Sequence, residues 1–332
     1  MITYTWIKTK SLLYEKGFFV NLKRDTARLF FDNGSGCIYY EDMNDHCIYS
    51  PDDIRRSYCK IGAHRQSRDT ILRFSTNALD IREVALAGLD LSPVRNVLDL
   101  GCGYGFFSEK LTGVLDHRAH ITGIDMVVSN REPYLDVLAS SGFNGNFVPG
   151  SSEIIGTMER GSFGLVAASY SLYFFPHLIG EIARILSPGG IFIAITHSRF
   201  TMKEILDFIP SCMKEAGAEP PRELVIQKLF AAFSLENGEA LLRPHFEHVE
   251  RIVFNNTLSI PQEDVKHFVA YLEGKKPLFL KDVRDAWPGK VARVRDCFYR
   301  KIHEYSKNVK DGLVITKDDG IFRCRRGGED HR

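Results

Sequence analysis

The sequence predicts an α/β fold, a doubly wound and largely parallel sheet, and three stretches carry that prediction. The first is Val94 to Gly105. There the apolar run Val97-Leu98-Asp99-Leu100 meets glycines at alternate positions, Gly101, Gly103 and Gly105. Phe106 to Leu111 follows with helical character, so the stretch reads as a buried strand, a tight turn and a helix start. Glycines in such a turn permit positive φ and a close backbone approach to a ligand, which the free N–H groups of the helix start then face. The second stretch is Ala119 to Ile124, a strand-like run ending at Asp125, twenty positions after Gly105. An acid at the end of a second strand is placed to accept hydrogen bonds from both hydroxyls of a ribose. In the third, Ser187-Pro188-Gly189-Gly190 closes a helix and leads into the strand Ile191 to Thr196.

The glycine pattern is G-x-G-x-G. The dinucleotide pattern G-x-G-x-x-G would need glycine where Phe106 stands. An adenosyl ligand without a pyrophosphate suits this turn. Asp99-Leu100-Gly101-Cys102-Gly103-Tyr104-Gly105, Gly123-Ile124-Asp125 and Arg184-Ile185-Leu186-Ser187-Pro188-Gly189-Gly190, in that order, resemble the class I S-adenosylmethionine-dependent methyltransferases over roughly Val94 to Thr196. The resemblance implies a Rossmann-like seven-stranded doubly wound sheet. This chain adds to it an N-terminal β-rich extension and helical insertions near the C-terminus. The resemblance also implies S-adenosylmethionine as cofactor. Its contacts would come from Asp99, Gly101, Cys102, Gly103 and Gly105 on the first turn, Asp125 and Met126 after the second strand, Ser151 and Ser152 after the third, and Ser169 and Tyr170 after the fourth.

Two positions depart from the family. Gly150-Ser151-Ser152-Glu153 stands where Gly-Asp-Ala is usual, so Ser151 replaces the acid that contacts the adenine amino group. A serine hydroxyl, backbone groups or Glu153 reaching back could read the adenine edge instead. Gly164 replaces the acid of Phe-Asp-Leu-Val at the fourth strand.

The remaining elements are taken in chain order. Residues 1 to about 60 read as β structure and loops, with short strands at Gly17 to Leu22 and Ala27 to Phe31 and the turn Asp32-Asn33-Gly34-Ser35-Gly36 before Cys37 to Tyr40. This is a structural cap, a lid or a dimer arm. Ser50-Pro51-Asp52-Asp53 has the chemistry of a helix start, and a helix or helix pair runs on towards Leu89. Arg68 on that segment is the candidate partner for the cofactor's methionine carboxylate, because a guanidinium pairs in a bidentate way; the alternative is a solvated face. A helix over Pro133 to Ser141 and a third strand at Asn146 to Pro149 follow. Phe163 to Ala168 is the fourth strand. Ligands of open α/β sheets bind beyond the carboxyl ends of the strands. Ser169 and Tyr170 therefore lie near the sulfonium, and Tyr170 or Tyr173 faces the substrate. Phe174 and Phe175 read as packing. His177 to Leu186 is a helix, and His197, just past the fifth strand, is a candidate general base; the alternative is a structural histidine.

Phe200 to Ala240 is mostly helical, broken at Gly217 to Pro221. Val249 to Leu258 reads as the sixth strand, and Pro261 to Tyr271 and Gly289 to Tyr305 as helices. Gly312 to Thr316, Lys317 to Gly320 and Ile321 to Cys324 make a hairpin or the final antiparallel strand, with Arg326 to Arg332 disordered. The expected organisation is a cap over 1–60, a cofactor-binding core over 61–200, a helical insertion over 201–248, the end of the sheet with a basic helical insertion over 249–326, and a tail over 327–332.

Bulk properties bound the function. The 332 residues are 44% hydrophobic and 26% charged with a net charge of +1, so no global field draws the chain to nucleic acid or membrane. No apolar run approaches the roughly 18 residues of a membrane span, and the first twenty residues lack a signal pattern; a cytoplasmic protein is expected. Seven cysteines with no C-x-x-C pair argue for reduced thiols, and Cys37, His46, Cys47, Cys59 and His64 have no usual zinc spacing. No metal is expected. Lys275 to Lys310 holds eleven Lys or Arg against four Asp or Glu, which reads as a solvated face or as a patch for an anionic substrate or RNA. The expected partner is a small-molecule methyl acceptor with an O, N, S or C nucleophile, nucleic acid and membrane are not expected, and a homodimer is open. The alternatives are an RNA methyltransferase and a non-catalytic cofactor-binding partner protein.

Overall fold

The computed structural model describes residues 48–310 and 312–328, preceded by four short strands, β1 (Leu12–Leu13), β2 (Phe19–Val20), β3 (Arg28–Asp32) and β4 (Cys37–Glu41). β1 pairs with β2 and β3 with β4, both antiparallel. The strands expected within 17–22, 27–31 and 37–40 fall on β2, β3 and β4; the turn between the last two lies outside the described residues. Helix α1 (Pro51–Tyr58) starts where the sequence placed it. Ser50 Oγ accepts from Asp53 N, and Asp53 Oδ2 accepts from Ser50 N, a reciprocal cap of the helix start. Helices α2 (Ile61–Phe74) and α3 (Ile81–Leu86) follow.

The centre is one seven-stranded sheet. Its strands in chain order are β5 (Asn96–Leu100), β6 (His120–Asp125), β7 (Asn144–Pro149), β8 (Phe163–Ser169), β9 (Leu186–His197), β10 (His248–Phe254) and, after an excursion, β13 (Asp319–Arg325). They lie side by side in the order β10-β13-β9-β8-β5-β6-β7. Neighbours from β9 to β7 run parallel, while β13 runs antiparallel to both β9 and β10. Leu165, Val166, Ala167 and Ala168 on β8 have no exposed surface, as a strand covered on both faces requires. One face carries Leu98, Leu100, Val166, Phe192 and Phe322 against Ile179, Ile182 and Ile185 of α5 (Ile179–Ile185). The other carries Val97, Ile121, Leu165, Ile193 and Ile321 against α3 and against Tyr134 and Leu138 of α4 (Arg131–Ser140). The two faces alternate along each strand, as the pleat dictates.

The excursion after β9 contains α6 (Lys203–Leu206), α7 (Phe208–Glu215), α8 (Val225–Ala232) and α9 (Gly238–Leu242). After β10 come β11 (Thr257–Ile260), α10 (Val265–Gly274), α11 (Lys276–Phe279), α12 (Lys281–Ala286), α13 (Val291–Asn308) and β12 (Leu313–Thr316).

Three expectations are corrected and one is narrowed. The helix after the glycine turn is only a 3-10 turn, Ser108–Leu111; Thr112 takes an extended ψ of 128° and Gly113 a φ of +82°, which ends it. The run from Val249 to Leu258 is not one strand. Asn256 breaks it, its N–H donating to Asp318 Oδ1 and its side-chain NH2 to Ser75 Oγ, and β11 then pairs with β12 in a separate ladder. Of the two readings of Gly312 to Cys324, the final antiparallel strand is the one found: β13 enters the main sheet antiparallel to β9 and β10, while β12 pairs with β11. Arg326 is ordered, its N–H donating to the Gly190 carbonyl and its carbonyl accepting from Gly189 N; residues 329–332 lie outside the described residues.

Candidate functional site

A cavity of about 340 Å³ opens beyond the carboxyl ends of β5, β6, β8 and β9, roofed by side chains of α1, α2 and α10, where an open α/β sheet places its ligand. The glycine turn forms its floor. Gly101 N and Cys102 N donate to the Ile124 carbonyl, which ties the turn to β6. A Cβ on Gly101, with φ of +69°, would sit 2.5 Å from Ser171 Cβ, so only glycine fits. Asp125 Oδ2 accepts from Gly103 N at 2.8 Å, and Oδ1 accepts from Val127 N at 2.7 Å. Burial raises the Asp125 pKa despite these bonds. Each oxygen retains lone pairs towards the cavity. Asp99 is buried, accepts from Ser108 Oγ at 2.7 Å, and is pushed up to about 7 by burial and by the nearby Asp125 charge.

The cavity brings together most of the residues nominated from the sequence. Asp99, Gly101, Cys102, Gly103, Asp125 and Met126 line it, as do Ser151, Ser152, Ser169 and Arg68. Tyr170, Tyr173 and His197 line it too. Gly105 does not; it faces α4, where a Cβ would meet Val137 Cγ1 at 2.9 Å. Ser151 Oγ accepts from Glu153 N and caps the short helix Ser152–Thr157, and Glu153 pairs with His177 Nε2 at 2.5 Å. Arg68 donates twice to Asp69 Oδ1, with its guanidinium 5.9 Å from the Tyr104 ring centre.

The opposite wall holds a buried polar cluster. His197 Nδ1 lies 2.8 Å from Asp319 Oδ1. Lys317 Nζ donates to both Asp319 oxygens at 2.9 Å, and Tyr170 OH donates to Asp319 Oδ2 at 2.8 Å. Burial and the Lys317 ammonium hold the His197 pKa below 6.5, although Asp319 opposes them, so the ring is neutral at pH 7. Lys317 Nζ lies 3.2 Å from the same Nδ1; with the Nδ1 proton directed at the nearer carboxylate, Nε2 is the basic nitrogen. Tyr170 has a φ of +54°, a conformation costing of order 1–3 kcal/mol that persists where the surroundings enforce it. Its ring and that of Tyr173 flank His197, with centres 4.7 and 5.8 Å away.

Asp319 and Lys317 escape a reading of the sequence, because Lys317-Asp318-Asp319-Gly320 has the composition of a turn. His64, Tyr58, Tyr271 and Lys275 also line the cavity, and no motif marks them. Of the Cys/His group between 37 and 64, only Cys59 and His64 have described side chains. The basic stretch from 275 to 310 is largely ion-paired. Lys281 and Arg284 meet Asp53, Arg300 and Lys301 meet Glu215, and Arg295 meets Asp296. Among the described residues no helix is long and apolar enough to cross a membrane.

Residues 98–194 match the family model described as a methyltransferase domain. This stretch is a methyltransferase domain. A comparison with curated proteins finds no match. Among solved structures the chain is similar to the YcgJ protein of Bacillus subtilis, at 13% identity and TM-score 0.48 over 74% of this chain and 97% of that one. It is similar to the cyclopropane synthase MmaA2 of Mycobacterium tuberculosis, at 13% identity and TM-score 0.44 over 85% and 100%. It is also similar to the phosphoethanolamine N-methyltransferase 2 of Haemonchus contortus, at 13% identity and TM-score 0.40 over 85% and 59%.

The residues present fit S-adenosylmethionine, the cofactor that the sequence resemblance implies. Four buried side-chain atoms have no hydrogen-bond partner among the described residues, and three of them, Ser169 Oγ, Asn130 Oδ1 and His64 Nδ1, belong to residues lining the cavity. Buried polar atoms are normally paired, so these three mark a wall shaped for a polar ligand.

Proposed function

We propose that the chain transfers the methyl group of S-adenosylmethionine to an O, N, S or C nucleophile of a small molecule held in the 340 Å³ cavity. The observation that carries this reading is the convergence of the glycine turn, Asp125 and the His197–Asp319 pair on one cavity roofed by aromatic side chains. When bound, the cofactor supplies an electrophilic methyl on a sulfonium.

The chain's own residues then have separate tasks. Asp125 and the Gly101–Gly103 backbone hold the adenosyl half, with Ser151 or Ser152 at the adenine edge. Arg68 holds Asp69 through Nε and Nη2, which leaves Nη1 to meet a carboxylate. Tyr170 and Tyr173 confine the acceptor beside His197 and exclude water, so alignment supplies much of the rate. His197 Nε2 accepts the proton of a nucleophile that arrives protonated. Asp319 keeps the ring in the tautomer that frees Nε2 and stabilises the imidazolium that forms. Lys317 cancels the carboxylate's charge in the resting state, which keeps His197 neutral and basic near pH 7.

The test is transfer of isotopically labelled methyl from S-adenosylmethionine into a cell extract, separated into small molecules, RNA and protein. Label in the small-molecule fraction that disappears with His197→Asn is the expected result. Label confined to RNA or protein would overturn the choice of acceptor, and failure of the chain to bind S-adenosylhomocysteine would overturn the whole reading.

A further inference from the structure

Lys275 is the C-cap residue of α10 and lies inside the roof of the cavity, only 7% exposed. Its ammonium stands 3.6 Å from the centre of the Tyr58 ring and donates to the Ser57 carbonyl at 3.3 Å. No carboxylate lies within ion-pair distance of it among the described residues. The other cations in the walls differ, since Lys317 has Asp319 and Arg68 has Asp69.

A buried ammonium without a counter-ion is costly. Burial pulls its pKa down to about 7. A carbonyl, an aromatic face and the end of a helix offset part of that cost and leave it without the anion that would cancel it. His64 faces the same space with Nδ1 buried and unpartnered, kept neutral by burial and by Lys275 and Arg68. A neutral imidazole beside an ammonium offers a second polar contact without a second charge.

We propose that Lys275 and His64 form a receptor for an anionic group, a carboxylate or phosphate, on a ligand held in the cavity. The inference rests on the cavity being the methyl-transfer site. Two sources share this chemistry: a charged group on the methyl acceptor and the cofactor's own methionine carboxylate.

Calorimetry on the full chain separates them, with Lys275→Met, which keeps the length and packing of the side chain, and Lys275→Arg, which keeps the charge. S-adenosylhomocysteine, 5′-methylthioadenosine (which lacks the amino-acid portion) and inorganic phosphate are the probes. If the anion belongs to the acceptor, phosphate binds the chain already saturated with S-adenosylhomocysteine. Lys275→Met then weakens phosphate at least tenfold, Lys275→Arg retains it, and S-adenosylhomocysteine affinity stays within threefold. If it belongs to the cofactor, Lys275→Met weakens S-adenosylhomocysteine at least tenfold while 5′-methylthioadenosine is unchanged, and phosphate competes with S-adenosylhomocysteine. Lys275→Met that melts like the wild type and changes neither ligand would overturn the receptor. Failure of the wild-type chain to bind S-adenosylhomocysteine or 5′-methylthioadenosine at all would instead sink the methyl-transfer reading of the cavity.

Discussion

Replacing Asp319 by Asn tests the polar cluster behind His197 most directly. Asp319 is 3% exposed and accepts from Lys317, His197 and Tyr170. The amide keeps the shape but removes the charge and turns an NH2 group towards donors. Lys317, 4% exposed, is left as an uncompensated buried ammonium. Removing one member of a buried ion pair costs about 3–5 kcal/mol. At about 2 °C per kcal/mol for a chain of this size, the melting temperature should fall by about 6–10 °C. Lys317→Met combined with Asp319→Asn removes the stranded charge and should recover at least half of that loss. Burial alone would raise the Asp319 pKa, but Lys317 and His197 outweigh it and hold the group below 3.8. Its stabilisation is therefore complete above 3.8 and is lost as pH falls through the lower folded-state value. The gap between wild type and Asp319→Asn should close below about pH 4. Differential scanning calorimetry of the three proteins is the assay. A loss under about 2 °C for the single variant, or a double variant no more stable than it, would refute the charge-pair argument.

Three further outcomes follow from the same geometry. His197→Asn should lower kcat by about 10²–10⁴-fold for an acceptor that starts protonated; because the His197 pKa is held below 6.5, the wild-type rate should persist to lower pH than an ordinary histidine allows, which a kcat–pH profile checks. Asp125→Ala should weaken S-adenosylhomocysteine by about tenfold or more, since a hydrogen bond to a charged group contributes about 1.5–3 kcal/mol; a calorimetric change within threefold would show that the ribose lies elsewhere. Asp99 has a folded pKa raised to about 7 by burial and the Asp125 charge, so its contribution is present below 3.8 and declines as pH rises towards 7. Asp99→Asn, still able to accept from Ser108 Oγ, should melt no lower than wild type at pH 8, and a clearly lower melting temperature there would contradict the assignment.

What the sequence disclosed is what short stretches encode alone. Val97 to Leu100, Gly101 to Gly105 and Asp125 carry their meaning in apolar runs and local turn chemistry, and the structure brings the nominated cofactor residues other than Gly105 to one cavity. The hidden part depends on distant partners. Asp319 meets His197 across 122 positions, and in the sequence it is one acid of a turn-like tetrapeptide. Asn256 looks like an ordinary member of a strand until Asp318 and Ser75 claim its backbone and side chain. The basic stretch keeps less of its apparent field because Asp53 and Glu215, far away in sequence, each pair with two of its cations.

The place of β13 in the sheet has a consequence for biosynthesis. Asp319 pairs with His197 and Arg325 with Ile191 along its full length, so the strand that fills the slot between β9 and β10 is made after every other strand of the sheet. While the chain is still on the ribosome, β9 presents a row of unpaired N–H and C=O groups, which is a template for wrong pairing. His197 meanwhile lacks its carboxylate. The His197–Asp319 contact and the missing seam of the sheet are completed by one event, so a prematurely ended chain lacks both and exposes an edge prone to wrong pairing.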